Sequence, residues 1–157
     1  MLGKRAEPAM QRRLVDSLYM EAMLLADEAR AYFEDGGRQE REALRPVVRV
    51  SFSCESLRVT TRLMHVIAWL LTQRAVAAGE MRADQALDPS RRLGEAPVTD
   101  ADVLLDLPLR ARALVEASID LHRRVGRFDE WQADGDGTAA TVASPVHGLL
   151  DRLTRSL

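Results

Sequence analysis

The sequence has little cysteine and few aromatic residues. Of its 157 residues one is cysteine, Cys54, and 4% are aromatic. A single thiol excludes an intramolecular disulfide and any zinc site built from several cysteines, which fits a reducing compartment. We therefore expect a cytoplasmic protein whose fold depends on core packing rather than on covalent or metal cross-links.

Neither sign of charge dominates, and long apolar runs are missing. The 22 basic and 24 acidic residues leave a formal net charge of -2. That balance provides no general basic field of the kind that nucleic acid or an anionic membrane surface would select. The most apolar run, residues 63–71, is less than half of the roughly 20 residues that cross a bilayer. The sequence predicts neither a nucleic-acid partner nor a membrane span.

Residue patterns that carry metal or nucleophilic chemistry are also missing. No glutamate has a histidine three residues later, as a helical di-iron site requires. The Asp- and Gly-rich stretch 134–137 has Pro145 where a calcium loop needs a glutamate. Cys54 lies on an apolar helical stripe, where we expect a small buried thiol rather than a nucleophile. We therefore expect no cofactor, no metal and no enzyme activity.

Three long helices are predicted, because apolar residues recur at steps of three and four. The first covers 11–34 and stops at a pair of glycines, the second stops at Gly79, and the third is capped by Asp106. The predicted fold class is all-α, an antiparallel three-helix bundle with short linking helices and a flexible C-terminal tail. The expected core faces are Leu14, Leu18, Ala22, Leu25, Ala29 and Tyr32 in the first helix, Val50, Cys54, Leu57, Thr61, Met64, Ala68, Leu71, Ala75 and Ala78 in the second, and Leu107, Ala111, Leu114, Ser118, Leu121, Val125 and Phe128 in the third.

The composition divides the chain after residue 132. Residues 1–132 are expected to form the bundle domain, and residues 133–157 a flexible tether followed by a short amphipathic segment. The stretch 133–145 buries little and would lose much entropy on ordering. The segment beyond it carries one apolar stripe, which is a candidate peptide-like contact for a partner. This stripe consists of Leu149, Leu150, Leu153 and Leu157.

The second helix is apolar on more than one side. If Met64 faces the bundle core, apolar residues on the back and flanks of the helix need a cover: a short helix, a twin subunit or a partner protein. A homodimer or an intramolecular cover is favoured over a purely heterologous partner. The residues to be covered are Leu63, Val66, Trp69 and Leu70. Three arginines of the same helix are expected on a solvated flank, with partner binding as the competing hypothesis: Arg58, Arg62 and Arg74.

The second helix also carries a family resemblance. Its signature reads ESLRVTTRLM at 55–64, AWLL at 68–71, QRAV at 73–76 and GEM at 79–81. These residues resemble the RcdA family, the regulators of CtrA degradation. The likeness extends more loosely to SLY at 17–19 and to DLP at 106–108, so it spans most of the predicted bundle.

The resemblance implies a three-helix bundle that can dimerise, with a poorly ordered tail. It also implies a non-enzymatic adaptor for the ClpXP protease, which joins an unfoldase primed by another regulator and presents cargo during cell-cycle-controlled proteolysis. An adaptor raises the effective concentration of cargo near the pore of the unfoldase. It needs two recognition surfaces but no active site. The implied partners are ClpXP with its priming factor, cargo proteins and a second copy of the chain. The alternatives are a helical ligand-binding module and a purely structural dimerisation module.

Overall fold

The computed structural model describes the backbone of residues 3–154 and the side chains of residues 8–135. Within the described backbone the chain is helical and has no strand, so the predicted all-α class is confirmed. A π-helical turn at Tyr32–Gly36 follows the first helix, and a 3-10 turn at Pro89–Arg91 lies in the connection between the second and third long helices. The α-helices are α1 (Gly3–Ala31), α2 (Arg38–Glu42), α3 (Pro46–Ala77), α4 (Ala83–Ala86), α5 (Ala101–Asp106) and α6 (Leu109–Thr154).

The chain divides into two compact units, residues 1–125 and residues 126–157. In the first unit α1 and α3 pack in opposite directions. In the middle of α1, Asp16 Oδ1 lies 3.6 Å from Arg74 Nε on the last turn of α3. At the other end, the rings of Tyr32 and Phe52 have centroids 6.0 Å apart.

The first part of α6 also runs opposite to α1. The Arg110 guanidinium lies 5.5 Å from the Tyr32 ring centroid, and further along the guanidinium of Arg124 donates to the Glu21 carboxylate. Because α1 is antiparallel to both other long helices, α3 and α6 run in the same direction. The connection 78–108 therefore carries the chain back along the bundle before α6 begins.

The ends of α3 follow from proline and glycine. Pro46 occupies the first turn, where its missing N–H would have had no helical partner. Gly79 adopts φ +75°, a left-handed conformation that glycine enters without a Cβ clash. The N–H of Glu80 then donates to the Ala75 carbonyl over 2.9 Å, which closes the helix end. The predicted stop at Gly79 is confirmed.

The end of the first long helix is organised around Tyr32. Its buried hydroxyl donates to the Glu40 carboxylate of α2. Burial of the phenol, and then its hydrogen bond to Glu40, raise the pKa of Tyr32 well above the usual value. Gly37 packs against the same ring, since a Cβ on this glycine would lie 2.9 Å from Tyr32 Cζ. Gly37, one of the two glycines that the sequence marks as a helix stop, thus also makes room for a buried tyrosine.

The second unit contains the C-terminal part of α6. The backbone is helical through 133–145, where the sequence predicts a flexible tether, and alanine, which recurs there, has the highest helix propensity. The flexibility of this stretch stays a prediction. Phe128 and Trp131 stack with ring centroids 5.9 Å apart. The side chains of Leu149, Leu150 and Leu153, and the whole of Leu157, lie outside the described residues.

The predicted core faces of the three long helices agree with the observed burial to different degrees. In α6, from Ala111 to Val125, every predicted core residue is buried, as is Leu107 just before the helix. In α1, most of the predicted face is buried, but Val15 takes the core position expected for Leu14, which is exposed. In α3 the predicted face is wrong. The buried residues of α3 are Val48, Phe52, Glu55, Val59, Arg62, Leu63, Val66, Trp69, Leu70 and Gln73.

There is a physical reason why the buried face of α3 is not the predicted one. The helix carries two apolar stripes at helical spacing, and the stripe that is buried contains Glu55, Arg62 and Gln73, which read as solvent-facing in the sequence. Glu55 and Arg62 find hydrogen-bond partners inside the bundle instead. The residues expected to need a dimeric or intramolecular cover are therefore the bundle core, covered within one chain. They are Leu63, Val66, Trp69 and Leu70.

Candidate protein-interaction surface

One face of α3 is exposed and apolar, and it is the face that the sequence assigns to the core. We define the α3 stripe by its residues between positions 50 and 71. Leu57 is 69% exposed and Met64 63% exposed, which is unusual for large apolar side chains in the middle of a long helix. The α3 stripe consists of Val50, Cys54, Leu57, Thr61, Met64, Ala68 and Leu71.

A buried polar network holds the opposite face of α3. Arg62, 1% exposed, donates from Nη2 to the Pro97 carbonyl over 2.9 Å and to the Thr99 hydroxyl, and from Nη1 to Ser118 Oγ over 3.3 Å. The Thr99 hydroxyl donates in turn to Glu55 Oε2 over 2.7 Å. Arg62 was expected on a solvated flank or at a partner contact, and that expectation is wrong. It joins α3, the returning connection and α6.

The electrostatics of this network explain why its buried charged groups need partners within the chain. Burial lowers the pKa of Arg62, the Glu55 carboxylate opposes that shift, and the Arg58 guanidinium adds to it. A buried charge that loses its partner destabilises a fold by about 3–5 kcal/mol. Glu55 and Arg62 are seven residues apart, two helical turns, so the sequence does place them on one face. That spacing is the signal by which the pair could have been found.

The other two arginines predicted as partner contacts lie on the flanks of α3. Arg58 forms an ion pair with the buried Glu55 carboxylate. Arg74 lies 3.6 Å from Asp16 and places its guanidinium 4.5 Å from the Tyr19 ring centroid. Both side chains are half-exposed and already engaged within the chain. Their role in partner binding stays a prediction.

Two histidines pack against the returning connection at Gly94. A Cβ on Gly94 would lie 2.8 Å from His65 Nδ1, so the glycine is needed for the backbone to approach the ring. His122 Nε2 donates to the Gly94 carbonyl over 2.9 Å. Across the residues whose side chains are described, no group of three or more His, Cys, Asp or Glu side chains could hold a metal ion. The histidines contribute to packing.

An open groove of about 470 Å³ lies at the N-terminal end of the α3 stripe. Its walls combine apolar side chains of α3 with two guanidinium groups. A small-molecule site usually encloses its ligand and converges several polar groups on it, whereas this groove is shallow and open. It is lined by Arg41, Pro46, Arg49, Val50, Ser53, Cys54 and Leu57.

None of the helices described between residues 3 and 154 has the length and hydrophobicity to cross a bilayer.

Comparisons with known proteins identify the family. Residues 6–157 match a family described as "Protein of unknown function (DUF1465)". The crystal structure of RcdA from Caulobacter crescentus CB15 matches with a TM-score of 0.62 and 34% sequence identity, over 76% of this chain and 90% of that one. The chain belongs to the DUF1465 family and is a relative of RcdA. No curated protein sequence matches.

The relationship to RcdA confirms the resemblance predicted from the α3 signature. In this RcdA relative the signature has two faces. Glu55, Val59, Arg62 and Leu63 are in the core, while Leu57, Thr61 and Met64 belong to the α3 stripe. The motif therefore combines a structural network with an exposed surface on the same two turns of helix.

Proposed function

We propose that this RcdA relative is a non-enzymatic adaptor in proteolysis by ClpXP, which joins a primed unfoldase and delivers cargo to it. The observation that carries the proposal is the relationship to RcdA, at 34% identity over 90% of the RcdA chain. The regulatory role itself comes from the family resemblance of the α3 signature.

The way the chain uses its buried polar groups supports a scaffold rather than a catalyst. A catalytic acid or base must reach a substrate in a pocket. Glu55, Arg62 and Ser118 are instead enclosed by the bundle, and each has its hydrogen bonds to other residues of the chain. Several of the large exposed side chains of α3, among them Leu57 and Met64, are apolar. Such a molecule acts through contacts with other proteins.

An adaptor needs two recognition surfaces. In this proposal the bundle surface provides one, and the leucines at 149, 150, 153 and 157 provide the other as a peptide-like contact. The partners are ClpXP, its priming factor and cargo proteins. The place of action is the cytoplasm, with concentration at a cell pole through those partners. Self-association is part of the proposal.

A reconstituted degradation assay tests the adaptor role. ClpXP and its priming factor are mixed with candidate cargo, with and without this protein, and the loss of cargo is followed over time. We expect cargo to disappear faster when the protein is present. A substrate that ClpXP degrades without any adaptor is the control, and its rate should not change. Equal cargo rates with and without the protein would contradict the proposal.

A purely structural dimerisation module is the second candidate, and the exposed α3 stripe is the observation that favours it. It differs from an adaptor in having no second partner. Affinity capture from the native cytoplasm separates the two. Recovery of ClpXP components or cargo supports the adaptor, whereas recovery of the untagged chain alone supports the structural module.

A further inference from the structure

We propose that the open groove at the start of α3 binds a short extended segment of another protein, which carries adjacent acidic residues and, three or four positions from them, a large apolar residue. The proposal names the kind of ligand that one part of the bundle surface takes. That the segment belongs to cargo or to the protease rests on the proposed function, whereas the binding itself does not.

Two guanidinium groups line the groove, and neither is neutralised within the described part of the chain. Arg41 comes from α2 and Arg49 from the first turn of α3. Both are exposed, and no described side chain forms an ion pair or hydrogen bond with either guanidinium. By contrast, Arg58, Arg74 and Arg124 each pair with a carboxylate. Among the described residues that line the groove none is acidic, so its positive charge is open to a ligand.

The rest of the groove is largely apolar and fixes the spacing of the ligand. Val50 is 64% exposed and Leu57 69% exposed, and both line the groove. Because an α-helix rises about 1.5 Å per residue, Leu57 lies about 12 Å along the axis from Arg49. An extended peptide covers that distance in roughly three to four residues. A ligand of this kind buries its apolar side chain against Leu57 while its carboxylates reach the guanidinium groups.

Carboxylates match these guanidinium groups in geometry as well as in charge. The planar fork of an arginine donates two parallel hydrogen bonds to the two oxygens of one carboxylate. Two acidic residues would thus satisfy Arg41 and Arg49 together and offset the repulsion between them. Ser53 lies halfway between Arg49 and Leu57 in the sequence and also lines the groove, where its hydroxyl is available to a peptide group of the ligand.

A nucleic acid or an anionic lipid surface fits this groove less well. A phosphate backbone repeats its charge at every step and has no apolar side chain to place against Leu57. The positive charge of the groove is also local, because Glu40 and Glu42 flank Arg41 in the sequence and the net charge of the chain is -2. An acidic segment of a protein is the better match to two cations beside an apolar floor.

Fluorescence anisotropy with labelled peptides tests the ligand class on the full chain. The probes are GEDSSLG and GLSSDEG, which present the same groups in the two chain directions. We expect one of them to bind. Replacing its acidic pair by Gln and Asn should weaken binding by about tenfold or more, and replacing its leucine by serine by about fivefold or more. An unchanged affinity after either replacement, or no binding of either probe up to about 1 mM, would overturn the proposal.

Substitutions in the protein locate the binding. Arg41→Glu and Arg49→Glu should each weaken it by about tenfold or more. Arg13→Glu is the matched control, because it makes the same charge change at an exposed position in the part of α1 that packs against the end of α3. Leu57→Ser should weaken binding by about fivefold, and Leu24→Ser, at an equally exposed leucine of α1, should not. Equal losses for Arg13→Glu and the groove variants would overturn the site.

A charge swap distinguishes the loss of a site from the loss of the fold. The double variant Arg41→Glu, Arg49→Glu should bind the charge-reversed form of the active probe, with two lysines in place of its acidic pair, more tightly than the wild type does. A misfolded variant cannot give this rescue. The absence of rescue in a double variant with an unchanged circular dichroism spectrum would overturn the proposal.

The same assay detects other occupants of the groove. A short oligothymidylate that bound as tightly as the acidic peptide through the same arginines would assign the groove to phosphate. A rise in peptide affinity on removal of residues 146–157 would assign it to the chain's own C-terminal segment. A change in the solution mass of the double variant, measured by light scattering, would assign it to a second copy. Each of these results would overturn a partner segment as the occupant.

The outcome is separable from that of the adaptor role. Peptide binding at the groove together with equal cargo rates in the degradation assay would remove the adaptor and leave the binding site in place. Faster cargo degradation without any peptide binding would do the reverse.

Discussion

The carboxylate of Glu55 and the guanidinium of Arg62 meet on a single hydroxyl, that of Thr99, in the interior of the bundle. Thr99 belongs to the connection between α3 and α6, so this contact fixes the returning chain to the middle of α3. Both charged residues are almost completely buried. The stability of the bundle should therefore depend on one threonine outside the long helices.

The substitution Thr99→Val tests this dependence. Valine keeps the shape but removes the donor to Glu55 and the acceptor for Arg62, and we expect a loss of about 1–3 kcal/mol in the free energy of unfolding. Urea unfolding followed by circular dichroism measures it. Thr60→Val is the control, because Thr60 is exposed and bonds only within its own helix. Equal losses for the two variants would show that the network contributes little.

Two adjacent leucines test which face of α3 is the core. Leu70 is fully buried, whereas Leu71 belongs to the α3 stripe. Leu70→Ala should lower the free energy of unfolding by about 2–5 kcal/mol. Leu71→Ala should lower it by less than about 1 kcal/mol. A larger loss for Leu71→Ala than for Leu70→Ala would show that the α3 stripe is part of the core.

Gly94 should not tolerate a methyl group. A Cβ there would overlap the His65 ring, so we expect Gly94→Ala to cost about 1–3 kcal/mol of stability. Gly135→Ala, where a Cβ meets no atom within 4 Å, is the matched glycine control and should be neutral or stabilising. Adding His65→Ala should reduce the cost of Gly94→Ala. Thermal melts of the wild type, the three single variants (Gly94→Ala, Gly135→Ala and His65→Ala) and the double variant measure each effect. An unchanged cost of Gly94→Ala in the His65→Ala background would argue against the proposed overlap.

Alkaline pH should destabilise the protein through Tyr32. Its pKa is higher in the folded chain than the usual value near 10, so above that pH the unfolded chain loses a proton that the folded chain retains. The contribution of Tyr32 is complete below pH 10 and is lost as the pH rises above it. Urea unfolding at increasing pH should show a falling stability whose slope is reduced in Tyr32→Phe. Tyr19→Phe is the comparison variant, and an equal reduction there would exclude Tyr32 as the source.

Removal of residues 146–157 should separate folding from partner binding. If the C-terminal leucines serve a partner, the melting temperature of the truncated chain should stay close to that of the full chain. Cargo delivery in the ClpXP assay should fall, while degradation of an adaptor-independent substrate should not. A large drop in melting temperature would instead make this segment part of the folded core.

The sequence predicts the core face of the first part of α6, from Ala111 to Val125, because one face of that part is apolar and the others are largely charged. Ser118 is the exception on the core face, and it is small enough to be buried with one bond to Val115 and one from Arg62. The periodicity therefore identifies a single face. The all-α class and the stop at Gly79 also follow from local residue patterns.

The core face of α3 could not be chosen by the same means. Two stripes compete, and the one without charges, from Val50 to Leu71, looks more like a core in the sequence. The actual core face contains Glu55 and Arg62, whose burial becomes favourable only when Thr99 and Ser118 arrive from distant parts of the chain. Periodicity reports where apolar residues lie on a helix, but it does not report which polar residues will find partners.

The parallel course of α3 and α6 has a consequence for the kinetics of folding. The hydrogen bond between Arg62 and Ser118 joins positions 56 residues apart, across the whole returning connection. Closing such a loop costs entropy before any contact forms, whereas the antiparallel pair α1 and α3 is joined by the shorter stretch 32–45. We expect the helical hairpin to assemble first, and the docking of α6 to be the late, rate-limiting event.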